Sequence, residues 1–207
     1  MASKTLGQLK TANRNFDNVL DSYLNLADGG TVAGKAKLTG NTGLIVGSGM
    51  SGIETYQSWT EHFGGVIKTS ILVDLTGALS AGGLLDIIGV GAASANCNIG
   101  QYTTAIMGTL FAGKMTCLET CTTGETDVDL YSATVATGAE NAVVTDLTET
   151  ALVTAAGAWI GTGITTTTSG FVGMPTANDY FYLVKGGTNN TGTYDAGKFL
   201  IEMWGTA

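Results

Sequence analysis

The run Gly65-Val66-Ile67-Lys68-Thr69-Ser70-Ile71-Leu72-Val73-Asp74-Leu75-Thr76 sets the reading of the whole chain. Ile67, Ile71, Val73 and Leu75 alternate with Lys68, Ser70 and Asp74. That period of two places one row of side chains inward and the other outward on a pleated strand. The alternation returns in Asp127–Thr134, where Val128 and Leu130 are set against Asp127 and Asp129. It returns again in Lys198–Trp204, with Phe199, Ile201 and Met203 on one face and Lys198 and Glu202 on the other. Tyr180–Val184 reads as another strand. Gln101–Leu118 is long enough for two short strands or one long bulged strand, with Gly108 and Gly113 as candidate bulge or turn positions. Gly186–Gly192 is a loop rich in residues that tolerate left-handed backbone. Many short strands without intervening helices predict an all-β domain of the sandwich or jelly-roll kind.

Composition agrees. Gly accounts for 31 of 207 residues and Thr is at least as frequent, while charged residues are only 13 % against a norm of about 25 %. Thr and Val suit strands through their stiff, branched Cβ, and Gly supplies turns while weakening helices. Residues 1–28 differ: Leu6, Leu9, Phe16, Leu20 and Leu24 recur at roughly helical spacing, so this segment is expected to be an amphipathic helix or an extended arm. Residues 29–207 are expected to form the β domain.

The net charge of −8 argues against nucleic-acid binding, which needs a basic stripe to neutralise phosphates. Lys4, Lys10 and Arg14 are the one local basic excess, read as a solvated tail or helix start. No basic region followed by an apolar run opens the chain, and no window of eighteen apolar residues occurs. A soluble product of the cytoplasm, without a membrane partner, is the expectation.

Chemistry-bearing residues are few. Leu44-Ile45-Val46-Gly47-Ser48-Gly49-Met50-Ser51-Gly52 matches the dinucleotide fingerprint of a strand entering G-x-G-x-x-G, with Asp74 near the place of a ribose-binding acid. The motif requires a helix from the second glycine, yet Ile53–Phe63 leans toward strand and no alternation of strands and helices follows. A chance match in a glycine-rich chain is therefore preferred, and no cofactor is expected. His62 is the single histidine and lacks a nearby G-x-S-x-G elbow, so no catalytic triad is expected. Glu125, Asp127 and Asp129 would resemble a hard-cation site if loop carbonyls joined them. A solvated strand edge is the preferred reading. Cys97, Cys117 and Cys121 leave one thiol unpaired however they combine, and their spacing does not suit zinc. Buried thiols are the first expectation, with disulfides between subunits as the alternative. The sequon Asn189-Asn190-Thr191 carries no weight without secretion.

Gly64-Gly65-Val66-Ile67-Lys68-Thr69-Ser70-Ile71-Leu72-Val73-Asp74-Leu75-Thr76-Gly77 resembles a family of small virion proteins of tailed phages that infect marine and other aquatic bacteria. The resemblance continues through Asp86–Gly89, Gly108–Glu119, Asp129–Thr134 and Phe199–Gly205, spanning roughly residues 45 to 205. Cys121, in Glu119-Thr120-Cys121-Thr122-Thr123-Gly124, departs from the Pro-Gly-type turn of similar proteins. The resemblance implies a structural part of a virus particle and brings no catalytic residues.

Within that class a capsid decoration protein is expected, because shell-building proteins are usually longer and mixed α/β. A homotrimer bridging copies of the major capsid protein would suit it. The arm, with Lys4, Lys10, Arg14 and Phe16, and the loops near Trp59 and Trp159 are the expected contacts. The alternatives are a tail, tail-tube or fibre component, or a carbohydrate-binding module using Trp59, Trp159, Tyr180 and Tyr182.

Overall fold

A computed structural model describes residues 44–155, 157–162, 166–188 and 190–207. The expected N-terminal arm, with Lys4, Lys10, Arg14 and Phe16, lies outside the described residues, as does Asn189 of the sequon.

The fold is all-β and antiparallel. Among the described residues there are ten strands, β1 (Thr55–Phe63), β2 (Val66–Asp74), β3 (Leu79–Ser80), β4 (Thr109–Thr122), β5 (Val128–Ala133), β6 (Glu149–Val153), β7 (Thr168–Gly170), β8 (Tyr180–Lys185), β9 (Gly192–Thr193) and β10 (Ala196–Thr206). They form a five-stranded sheet in the order β1-β2-β10-β4-β7, a three-stranded sheet β6-β5-β8, and the small pair β3-β9. One hydrophobic cluster draws on both larger sheets. Ile71, Val73, Met115, Phe199, Ile201 and Met203 come from the five-stranded sheet, and Val128, Leu130, Phe181 and Leu183 from the three-stranded one.

Gly64 and Gly65 join β1 to β2 with φ of +55° and +95°. Positive φ at both central residues is the demand of a two-residue hairpin turn, which glycine meets without steric cost. β2 then continues for nine residues with an unbroken ladder to β1 on one side and β10 on the other.

Ser70 and Asp74, expected to face water, are buried. β2 is an interior strand, so side chains from both neighbouring strands close over its outer row. The long strand expected in Gln101–Leu118 begins later, after a single turn of helix α1 (Thr104–Met107) that ends at Gly108 with φ +66°. Gly113 is not a bulge. It is bare because the Phe171 ring lies 2.4 Å from where a Cβ would stand. The ladder between β4 and β10 instead skips the exposed Phe111 and Leu118, and it shifts a third time where Thr120 and Cys121 stand opposite Gly197.

The glycine motif is also accounted for by packing. Ser48–Met50 makes one 3-10 turn, and the chain then runs into β1 rather than a helix. A Cβ on Gly47 would stand 2.0 Å from the Asn96 carbonyl oxygen. One on Gly49 would meet the Ala95 oxygen at 2.4 Å and Cys97 Sγ at 2.5 Å, and one on Gly52 would meet Val90 Cγ1 at 2.8 Å. The three glycines fit against the segment 90–98, and Gly47 and Gly49 donate backbone hydrogen bonds to Asn98 and Asn96.

Candidate interaction surface

The outer row of the five-stranded sheet carries an ionic ladder. Pairing sets Trp59 beside Ser70, Ser70 beside Glu202, and Glu202 beside Lys114. Glu202 accepts from Lys68 at 2.6 Å and Lys114 at 2.8 Å, and Lys68 reaches Glu61 at 3.8 Å. Burial pushes the Glu202 carboxyl up, but the hydrogen bonds from both lysines outweigh it and hold the group below its usual range. Lys114 also lies 5.8 Å from the ring centre of Trp204, within the reach of a cation–π contact. Four residues back along β10 from Glu202, Lys198 joins Asp74 at 3.0 Å and Glu119 at 3.2 Å. Thr76 completes the Asp74 shell through its backbone N–H at 3.1 Å and its hydroxyl at 2.7 Å. Burial raises the Asp74 carboxyl, and these donors again prevail and lower it.

Trp59 sits partly exposed on this face. Trp159 does not. It is fully buried, stacked edge-on against Phe199, with its indole N–H donating to the Val128 carbonyl at 2.7 Å. Tyr182 is equally buried, its hydroxyl donating to the Val135 carbonyl at 2.6 Å. The four aromatics considered for glycan binding therefore do not share an exposed sheet face. Only Trp59 and Tyr180 retain exposure, and they stand on different sheets.

All three cysteines are free and buried. Cys97 Sγ donates to the Ser94 carbonyl at 3.0 Å, and Cys117 Sγ to the Glu119 carbonyl at 3.1 Å. Burial raises all three thiols, Cys117 to about 11 and Cys121 further. A cross-link between subunits would require these side chains to leave the core.

Glu125, Asp127 and Asp129 do not line a solvated edge. β5 is the central strand of its sheet, and Glu125 and Asp129 are buried. Glu125 accepts from the N–H groups of Thr126 at 2.9 Å and Asp127 at 3.2 Å, and Asp129 accepts from Ala155 N–H at 2.7 Å. Gly186 and Gly187 lie against these carboxylates so closely that Cβ atoms there would stand 2.7 Å from Asp127 Oδ1 and 2.9 Å from Glu125 Oε2. Burial, with Asp127 adding to it, pushes Asp129 up to about 6 despite the Ala155 hydrogen bond. Burial and Glu125 likewise raise Asp127. Among the described residues no group of three or more His, Cys, Asp or Glu is arranged to hold a metal ion. Lys185 is also fully buried, its ammonium donating to the Gly82 carbonyl at 2.9 Å.

The acidic cluster was legible as a motif, but its burial was not, because burial depends on strand order. The Lys68–Glu202–Lys114 ladder was missed. Its members come from β2, β10 and β4, and only cross-strand register brings them together. No helix among the described residues is long and apolar enough to cross a membrane. Comparison with known proteins finds no matching family model, no matching curated protein and no matching solved structure.

Proposed function

We propose that this chain is a non-enzymatic structural protein of a virus particle, acting as a decoration protein on the capsid of a tailed phage. The observation that carries the reading is spatial. Three of the blocks that resemble small virion proteins, Gly64–Gly77, Gly108–Glu119 and Phe199–Gly205, are far apart in sequence. They contribute β2, β4 and β10, which are consecutive neighbours in the five-stranded sheet. These three blocks thus fall on one physical unit, the sheet whose outer row bears the ionic ladder and Trp59, while the block Asp129–Thr134 falls mostly on β5 of the three-stranded sheet.

The proposed mechanism is mechanical. Contacts made only with assembled major capsid protein stabilise the shell over its free subunits by linkage, without chemistry. Specific contacts of this kind bury about 1,200–2,000 Å², and self-association, as the expected trimer, would multiply them. Imaging of purified particles with this protein labelled tests the reading. Regular label over the head is the expected result. Label confined to the tail would replace decoration with a tail role, and particles lacking the polypeptide would end the proposal.

A further inference from the structure

Three aromatic side chains share the outer row of the five-stranded sheet. Glu61, Lys68, Trp204 and Ala112 pair in one line across β1, β2, β10 and β4, so their side chains point to one face. Trp59 and Phe63 lie two residues to either side of Glu61 on β1, and therefore on that face too. Phe63 is 56 % exposed, and Trp59 and Trp204 are partly exposed. At strand spacings, Trp59 and Phe63 stand about 13 Å apart, and Trp204, two strands over, stands about 12 Å from each. The three residues mark a triangle on the sheet, with Lys68 inside it and Glu61 on one side.

What lies between the rings is polar and already balanced in charge. Lys68 and Lys114 both reach Glu202, and Lys68 also reaches Glu61, so two cations meet two anions. Lys114 places its ammonium 5.8 Å from the Trp204 ring centre, beside a ring that a ligand would stack on. Such a balance offers an anionic or cationic ligand little to neutralise. A protein partner is disfavoured for another reason: the buried centres of interfaces are depleted of charged residues, since an ion ladder loses its hydration there. An uncharged ligand dense in hydroxyls meets both demands. Its C–H faces lie on the electron-rich ring faces, while its hydroxyls accept from the lysines and donate to the glutamates. Ser70 points the same way. It is the cross-strand neighbour of both Trp59 and Glu202, fully buried, and its hydroxyl has no hydrogen-bond partner among the described residues. A buried hydroxyl without a partner is costly, and a ligand hydroxyl seated between Trp59 and Glu202 would supply one.

We propose that this face binds a neutral oligosaccharide, stacked on Trp59, Trp204 and Phe63 and hydrogen-bonded to Lys68, Glu202 and Ser70. The rings are too far apart for one pyranose to span, so the ligand is a chain of sugars and not a monosaccharide. The site differs from one built on Trp159, Tyr180 and Tyr182, which do not lie on this sheet. It goes beyond the virion reading and does not rest on it.

Retention of the full chain on columns of immobilised dextran, galactomannan and mixed-linkage β-glucan tests this, with alginate as the anionic control. Wild type is expected to be held by at least one of the neutral polymers. It should elute with the same polymer in solution and not with salt at about 1 M, which screens charge contacts. Trp59→Ala and Trp204→Ala are expected to pass through unretained, whereas Trp59→Tyr, which keeps a ring to stack on, is retained. Tyr180→Ala, on the other sheet, should bind as wild type does. If Trp204→Ala loses its β-sheet circular dichroism, the comparison of Trp59→Ala with Trp59→Tyr decides. Passage of wild type through all three neutral columns, retention on alginate alone, release by salt, or undiminished retention of a folded Trp59→Ala would each overturn the site. So would self-association of wild type that Trp59→Ala abolishes, which would give this face to a second copy. Virions containing a chain that none of the columns holds would overturn the site and leave the virion reading standing.

Discussion

Trp159 meets Phe199 edge-on, with ring centroids 5.6 Å apart and planes at 89°. Phe199 belongs to β10 in the five-stranded sheet, whereas the carbonyl that accepts the Trp159 indole N–H belongs to Val128 at the start of β5. A single loop side chain therefore ties strands of the two larger sheets together. This arrangement removes Trp159 from the set of surface contacts and makes it a keystone of the core.

Truncating it should show that. Trp159→Ala is expected to lose about 3–5 kcal/mol of stability, as large aromatic truncations in cores do. Trp159→Phe keeps most of the packing but leaves the Val128 carbonyl without its donor, an expected loss of about 1–3 kcal/mol. Urea unfolding measures both. A Trp159→Ala chain as stable as wild type would mean that the side chain is not in the core.

The cysteines give a second expectation. Thiolate, not thiol, reacts with disulfide reagents, and burial holds all three side chains in the thiol form and out of reach. Native protein at pH 8 should therefore react slowly with a thiol-specific disulfide reagent, and denatured protein should titrate three thiols at once. Rapid modification of any one in the native protein would show that it is exposed, and would reopen cross-linking between subunits.

The strands were legible because their information is local. Ile67, Ile71 and Val73 announce β2 by alternation alone, and Phe199, Ile201 and Met203 announce β10. Which strands are interior was not legible. Ser70, Asp74 and Asp129 read as solvent-facing by the same alternation, yet β2 and β5 are flanked on both sides, so their polar rows are roofed by neighbouring side chains. Gln101–Leu118 was misread at its start, where Thr104–Met107 closes a single turn of helix too short to leave a periodic signal. The small sheets likewise depend on long-range pairing, as in Leu79 with Thr193. The all-β class itself was legible, and among the described residues it takes the form of ten strands in three sheets.

The glycine motif gives a third test, since packing and cofactor binding make opposite demands on it. A methyl group at Gly49 would have to displace the Ala95 carbonyl and Cys97 Sγ, backbone and core atoms with little room to yield. Gly49→Ala is expected to cost about 1–3 kcal/mol, the usual range for overpacking. Gly113→Ala, which would press on the Phe171 ring, should fall in the same range. Thermal melts of both variants provide the measurement. A Gly49→Ala protein with an unchanged melting temperature would contradict the close fit against segment 90–98.

The pH dependence of stability follows from two opposed groups of carboxylates. Asp129 titrates at about 6 in the folded chain, against about 3.9 when unfolded. Between those values the folded state holds a proton that the unfolded state has released. The resulting stabilisation is complete below the unfolded value and is lost as pH rises through about 6. Asp127 is shifted in the same direction. Glu125, Asp127 and Tyr131 are the titratable neighbours along this strand, and among the described residues no cation forms an ion pair with the three carboxylates. Asp74 and Glu202 behave oppositely: their lysine and threonine donors lower them, so their contribution is present at neutral pH and disappears as pH falls through the acid range. The urea midpoint should therefore be highest between about pH 4.5 and 6 and decline on both sides. Asp129→Asn retains an oxygen to accept from Ala155 N–H but cannot ionise. It should flatten the decline toward neutral pH and leave the acid limb as it was. A wild-type midpoint that climbs steadily from pH 5 to 7.5, or a decline that Asp129→Asn does not alter, would show that the buried acids of β5 are compensated by groups not identified in this geometry.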